Sequence, residues 1–127
     1  MEIRDAVERD AAAMAALTDA PEPVLRNVIH DRSVRVLVEE GELRGFVSFD
    51  AREDAVFVTQ FGGDRDACER LLAEPVGFAR AEGLPVEVVL REGDDAMRAA
   101  AEATGFEAAD PGPRFRGDPT RTYRHEG

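Results

Sequence analysis

No lysine occurs in this chain: all 16 basic residues are arginines, set against 27 acids, for a formal net charge of −11 over 127 residues. Nucleic acid and anionic membrane both demand a basic face to meet phosphate, so neither is an expected partner. The acids run through every segment instead of gathering into a tail, the mark of a solvated, self-repelling surface. Two explanations fit the excess. One is a cytoplasm at molar salt, where screening cuts the reach of repulsion to about 3 Å at 1 M. The other is a GC-rich genome, which also favours Ala, Arg, Gly and Asp. Base composition alone leaves the acid excess unexplained, so a halophilic setting is preferred. Cysteine is reduced to Cys68. A lone thiol forms no internal disulfide and agrees with a reducing compartment. Its place in a helical pattern makes it a small buried hydrophobe instead of a nucleophile. No apolar run reaches the ~18–20 residues that cross a bilayer. Met1-Glu2-Ile3-Arg4-Asp5 enters a strand pattern directly, without the layout of a signal peptide, so a cytoplasmic protein is expected. Nothing has the spacing of a zinc site, a P-loop or a serine triad, and no metal is expected.

What is present is enough for one core. Hydrophobic residues make up 43%, and residues 1–127 are read as one domain with no dividing linker or internal repeat. Glu2–Val7 reads as a first strand. Asp10 offers an N-cap to a helix over Ala11–Leu17. Pro21 and Pro23 break that helix and open the next, whose apolar residues Val24, Leu25, Val28 and Ile29 keep helical spacing up to His30. At Ser33 the period changes to two: Val34, Val36 and Val38 alternate, Glu40-Gly41 turns the chain, and Leu43–Phe49 returns as partner strand. Arg52-Glu53-Asp54 connects this hairpin, Ser33–Asp50, to a strand over Val56–Phe61.

After Gly62-Gly63, Asp64 starts a long helix reaching Glu82, with a kink or split expected near Glu74 because Pro75 removes a backbone donor. Gly83 ends it, and Pro85–Leu90 reads as a Val-rich buried strand. Gly93 and Asp94 open a last helix that stops at Gly105. Pro111, Gly112, Pro113, Gly117 and Pro119 make an irregular link to a final strand, Thr120–Arg124, followed by a frayed tail holding His125. The segment from Val56 to Leu90 has the length of a right-handed parallel crossover. An α/β architecture follows: a mixed sheet with helices on both faces.

The order β-α-α-β-β-β-α-β-α-β-β resembles the GNAT-type N-acetyltransferase fold over nearly the whole chain. Ile3-Arg4-Asp5-Ala6 with Asp10 looks like that family's opening strand and helix cap. Val38-Glu39-Glu40-Gly41-Glu42-Leu43-Arg44-Gly45-Phe46-Val47 is similar to its second hairpin, and Thr104-Gly105-Phe106 to the Gly-Phe that closes its last helix. The resemblance implies an acyl-CoA N-acyltransferase fold with acetyl-CoA between the diverging fourth and fifth strands. Pantetheine would then lie along Val56–Phe61, with pyrophosphate at the N-terminus of the next helix. The family's Arg/Gln-x-x-Gly-x-Gly/Ala motif anchors on Gln60-Phe61-Gly62-Gly63-Asp64-Arg65, with Arg65 at a small-residue position and Leu71-Leu72 late. Anchored on those leucines instead, it puts Asp66 and Cys68 at the glycine positions. Phe61, Gly62, Gly63, Asp64, Arg65 and Asp66 are therefore the expected cofactor-binding residues. The alternative is an acid-capped helix after a Gly-Gly turn, whose carboxylates already satisfy the helix dipole.

Acetyl transfer needs a neutral amine, an oxyanion donor and an acid for the leaving thiolate. Where many relatives place a tyrosine before the Gly-Phe, this chain has Ala101. Tyr123, its only tyrosine, is the remaining candidate acid. No Glu lies within Val56–Phe61 to serve as base; Glu87, on the next strand, faces either solvent or the cleft. Two functions stay open: an acetyl-CoA-dependent N-acetyltransferase acting on a small-molecule or peptide amine, or a non-catalytic relative that binds a protein partner or small ligand. A homodimer is left open too.

Overall fold

A computed structural model describes residues 1–114 and 116–127. Among the described residues, seven strands form one mixed sheet in the order β1-β2-β3-β4-β5-β7-β6. In sequence these are β1 (Glu2–Asp5), β2 (Ser33–Glu39), β3 (Glu42–Ala51), β4 (Val56–Gly63), β5 (Val86–Arg91), β6 (Glu107–Pro111) and β7 (Thr120–His125). Four helices join them: α1 (Ala11–Ala15), α2 (Glu22–Asp31), α3 (Arg65–Glu82) and α4 (Asp95–Ala103). The element order, the antiparallel β2–β3 hairpin and the parallel β4–β5 pair agree with the sequence reading.

Burial explains why β2 and β3 are rich in apolar residues on both sides. Val34, Val36 and Phe46 pack under α1 and α2 with Met14 and Leu25. Leu37, Val47 and Phe49 face α3 and join Leu71, Leu72, Val76 and Ala79. Helix α4 lies beside α3 on the same face and adds Ala101, so β4, β5 and β7 are helix-covered on that side. On the other face α1 packs chiefly on β3 and α2 on β2, and the turn after α1 touches β4 at Gly62. Strand β5 therefore alternates: Val86, Val88 and Leu90 are buried, while Val89 is 45% exposed. The expectation of a strand buried on both faces is corrected there.

Other boundaries differ for local reasons. The first strand stops at Asp5, and a 3-10 turn, Glu8–Asp10, precedes α1, which ends at Ala15. Asp10 does not cap α1. Its carboxylate turns back to accept from the Val7 amide at 2.8 Å and from Arg4 at 2.8 and 3.1 Å. Helix α3 runs unbroken through Pro75, so the split near Glu74 does not occur. His125 is not frayed: it belongs to β7 and sets its ring edge-on to Phe106 at 5.3 Å. Pro111 lies in β6, the strand at the sheet's edge beside β7, where a missing donor is tolerated. Of the irregular link that follows, Phe115 lies outside the described residues.

Candidate functional site

Strand β4 parts from β5 midway along its length. The two pair in parallel only at Val56↔Val86, Phe57↔Glu87 and Val58↔Val88, although β4 continues to Gly63. The break coincides with a bulge. Ser48 faces Gln60 and Phe49 faces Val58 across β3–β4, which leaves Thr59 as the extra residue. A bulge adds twist and bends its strand, and here it steers β4 away from β5 into a fork. Polar side chains fix it: Ser48 Oγ and Thr59 Oγ1 share a hydrogen bond of 2.7 Å, and Thr59 Oγ1 donates to Ser48 O at 3.3 Å. Beside them the Gln60 side-chain oxygen is buried and has no partner among the described residues. A buried acceptor without a donor costs about 1–3 kcal/mol, so this atom is set to receive an N–H.

The end of β4 runs almost directly into α3. Asp64 is the single residue between them, and its carboxylate accepts the Ala67 amide at 2.9 Å as the helix cap. It also meets Arg44 at 3.3 Å, which in turn holds Glu39 at 2.9 Å. Arg65 turns along the helix to Glu69 at 3.0 Å. The glycine pair is explained by packing. A Cβ on Gly62 would sit 2.8 Å from the Leu17 carbonyl and from the Phe46 ring; Gly63, at φ +123°, would meet the Arg44 carbonyl at 2.7 Å. The six expected cofactor residues, Phe61 to Asp66, thus lie contiguously along the fork and the first turn of α3.

These residues fit acetyl-CoA unevenly. The fork offers strand backbone from Thr59 to Gly63 with no β5 partner, which suits an extended amide-bearing arm. The helix end does not suit a pyrophosphate: a one-residue connection leaves no loop to wrap it, and Asp64 already takes the Ala67 amide.

Tyr123 lies elsewhere. It stands opposite Val88 on β7, two strand spacings (roughly 10 Å) from β4. It is 3% exposed on the helix-covered face, and its hydroxyl accepts from Arg98 Nε at 3.2 Å. That bond, first, and the acids nearby hold the Arg98 guanidinium above its ordinary value. A cavity of about 370 Å³ beside the hydroxyl is lined by Glu92, Arg98, Ala108 and Arg121, toward β6 instead of the fork. The structure does not bring Tyr123 together with residues 61–66. Glu87 sits on the helix-free face, bound to Arg124 at 2.7 Å. Cys68 is buried, and burial pushes its thiol up to about 12. Among the described residues no group of His, Cys and acids could hold a metal, and no helix is long and apolar enough to cross a membrane. Sequence reasoning missed the bulge at Thr59 and the roles of Ser48 and Gln60; polar Ser48 and Thr59 inside otherwise apolar strands were the available signal.

The fold so assembled is that of the GNAT-type N-acetyltransferases. A GNAT-family acetyltransferase from Bacillus cereus ATCC 10987 superposes with a TM-score of 0.81 at 16% identity, covering 98% of this chain and 96% of that one. The ribosomal-protein-alanine N-acetyltransferase of Brucella melitensis gives 0.77 at 20% identity, with 99% of each chain covered. The Salmonella typhimurium protein yncA, solved with its cofactor acetyl-CoA, gives 0.75 at 18% identity over 98% and 92%. No family model matches the chain, and none of the curated proteins does.

Proposed function

We propose that this chain is a divergent N-acetyltransferase that uses acetyl-CoA to acetylate an amine, a small molecule or a peptide. The carrying observation is the fork at Thr59, where β4 leaves β5 at a bulge pinned by Ser48. Acetyl-CoA, the cofactor of the Salmonella protein, supplies an activated acyl thioester when bound. This chain's own part is to align and polarise. The Val56 amide donates to Pro85 O at 2.8 Å, so Val56 and Val58 turn their backbone groups toward β5. The bulge shifts that alternation by one residue, which turns the amides of Phe61 and Gly63 toward the space β5 vacates. Fixed amides in such a place stabilise developing negative charge on oxygen. The Gln60 side-chain oxygen would take an N–H of the incoming amine. Proton removal falls to water, since no carboxylate lies on the fork strand. A cytoplasmic, high-salt setting goes with this reading.

A second reading, a non-catalytic binding domain, is favoured by Asp64, whose carboxylate takes the Ala67 amide that an anion would use. Thiol release from acetyl-CoA, followed in molar KCl against a panel of amines, separates the two. Acetyl transfer predicts amine-dependent release that falls at least tenfold in Gln60→Ala. Release that never exceeds the amine-free rate leaves the binding reading.

A further inference from the structure

The helix-free face of β5 carries a cavity of about 280 Å³ that begins at the bulge residue Thr59 and runs over Val89 to Thr120. The segment after β6 closes it. Gly112 lies so near that a Cβ there would meet Thr120 Oγ1 at 2.6 Å and Val89 Cγ1 at 3.1 Å. The Gly112 amide donates to Thr120 O at 3.1 Å, and the Thr120 hydroxyl donates to the Pro113 carbonyl. Pro113 and Arg114 therefore sit directly above the strand, and Arg114 is steadied by donating to Gly117 O at 2.8 Å.

The charge of this cavity runs against the rest of the molecule. In a chain with 27 acids and 16 arginines, the described lining residues include Arg91 and Arg114 and no carboxylate. A larger neighbouring cavity of about 570 Å³ shares Arg91 but carries Asp94 and Asp118, so Arg114 is the charge that belongs to the smaller one. Guanidinium groups suit carboxylates, which they meet with two parallel N–H donors. The volume, about 280 Å³, lies just below the usual ligand-pocket range, which starts at roughly 300 Å³, and suits a ligand of single amino-acid size instead of a chain.

We infer that the acceptor amine also carries a carboxylate, as a free amino acid does, with Arg114 and Arg91 holding the carboxylate while the amine is presented to the fork at Thr59. This deepens the acetyl-transfer reading and rests on it. The opposite choice, a cationic amine drawn by the overall negative charge, lacks an acidic partner in this cavity among the described residues.

Saturation-transfer NMR with L-alanine, alaninamide and putrescine, in low and molar KCl, tests the inference without turnover. Alanine should bind at least about tenfold more tightly than the other two, the loss expected when a charged hydrogen-bonding partner is removed. Arg114→Gln and Arg91→Gln should each weaken alanine by a similar factor while acetyl-CoA titrates unchanged by calorimetry. Alaninamide or putrescine binding as well as alanine, alanine binding unaltered in Arg114→Gln, or no binding of any of the three would overturn it. Silence in the acetyl-CoA calorimetry alone strikes the transfer reading, and the alanine comparison still decides what the cavity holds.

Discussion

At Asp64 one carboxylate stands where an anionic ligand would otherwise be received, accepting the Ala67 amide at 2.9 Å with Arg44 at 3.3 Å. Replacing it by alanine should move two observables in opposite directions. Loss of the cap should lower unfolding stability by about 1 kcal/mol, while the freed amide and lost charge should tighten acetyl-CoA binding in calorimetry. A variant that loses stability without gaining affinity would place the phosphates elsewhere. Asp10 makes a different prediction. The Arg4 bond, first, and the Val7 amide hold its carboxyl below the usual value, against the burial that raises it. A native value below the unfolded one, about 3.9, gives stability that is present above pH 4 and lost as pH falls through the native value. Asp10→Asn should thus cost about 2 kcal/mol at pH 7, with the gap from the parent closing in acid denaturation below pH 4. The Cys68 thiol, pushed up to about 12 by burial, should resist disulfide reagents in the folded protein and react fully in denaturant.

Among the elements, the contact between the end of α1 and β4 is the one the glycines make possible. Gly62→Ala would drive a methyl group into the Leu17 carbonyl and the Phe46 ring, both 2.8 Å away. Overpacking of this kind costs typically 1–3 kcal/mol, and the thermal midpoint should drop accordingly, with or without acetyl-CoA. Most elements were legible because one signal dominated each: period two in Val34–Val38, Asp64 and Asp94 as caps, Gly83 as a stop. Asp10 misled because its carboxylate had a stronger local partner, Arg4, than the helix it preceded. Val89 misled because a valine run reads as buried on both faces, whereas helix cover on one face ends before β5. The site was legible only in part. Residues 61–66 follow from chain order, but the bulge is a property of how β4 pairs with β3, which the residue pattern within one strand does not record. The pairing of Tyr123 with Arg98 is hidden as well, since 25 residues separate them.

Over the whole molecule, charge decides the conditions under which any of this is measured. Many arginines are engaged at the surface, as in Arg26–Glu22, Arg35–Asp5 and Arg52–Asp50, and exposed pairs of this kind contribute about 0–1 kcal/mol each. The remaining excess of acids, a net −11, repels itself. The melting temperature should therefore rise as KCl goes from low to molar concentration, because screening relieves more repulsion than attraction. A flat or falling curve would favour base composition as the source of the acids. Under the salt that gives the most stable protein, the central claim, that the β4–β5 fork receives the acyl-bearing arm of acetyl-CoA, is tested most directly by titrating acetyl-CoA into isotopically labelled protein and following its amide resonances. The account predicts saturable shifts concentrated at Thr59 to Gly63 and at Val88 and Val89, with Tyr123 little changed. Shifts confined to other strands, or none at millimolar ligand, would contradict it.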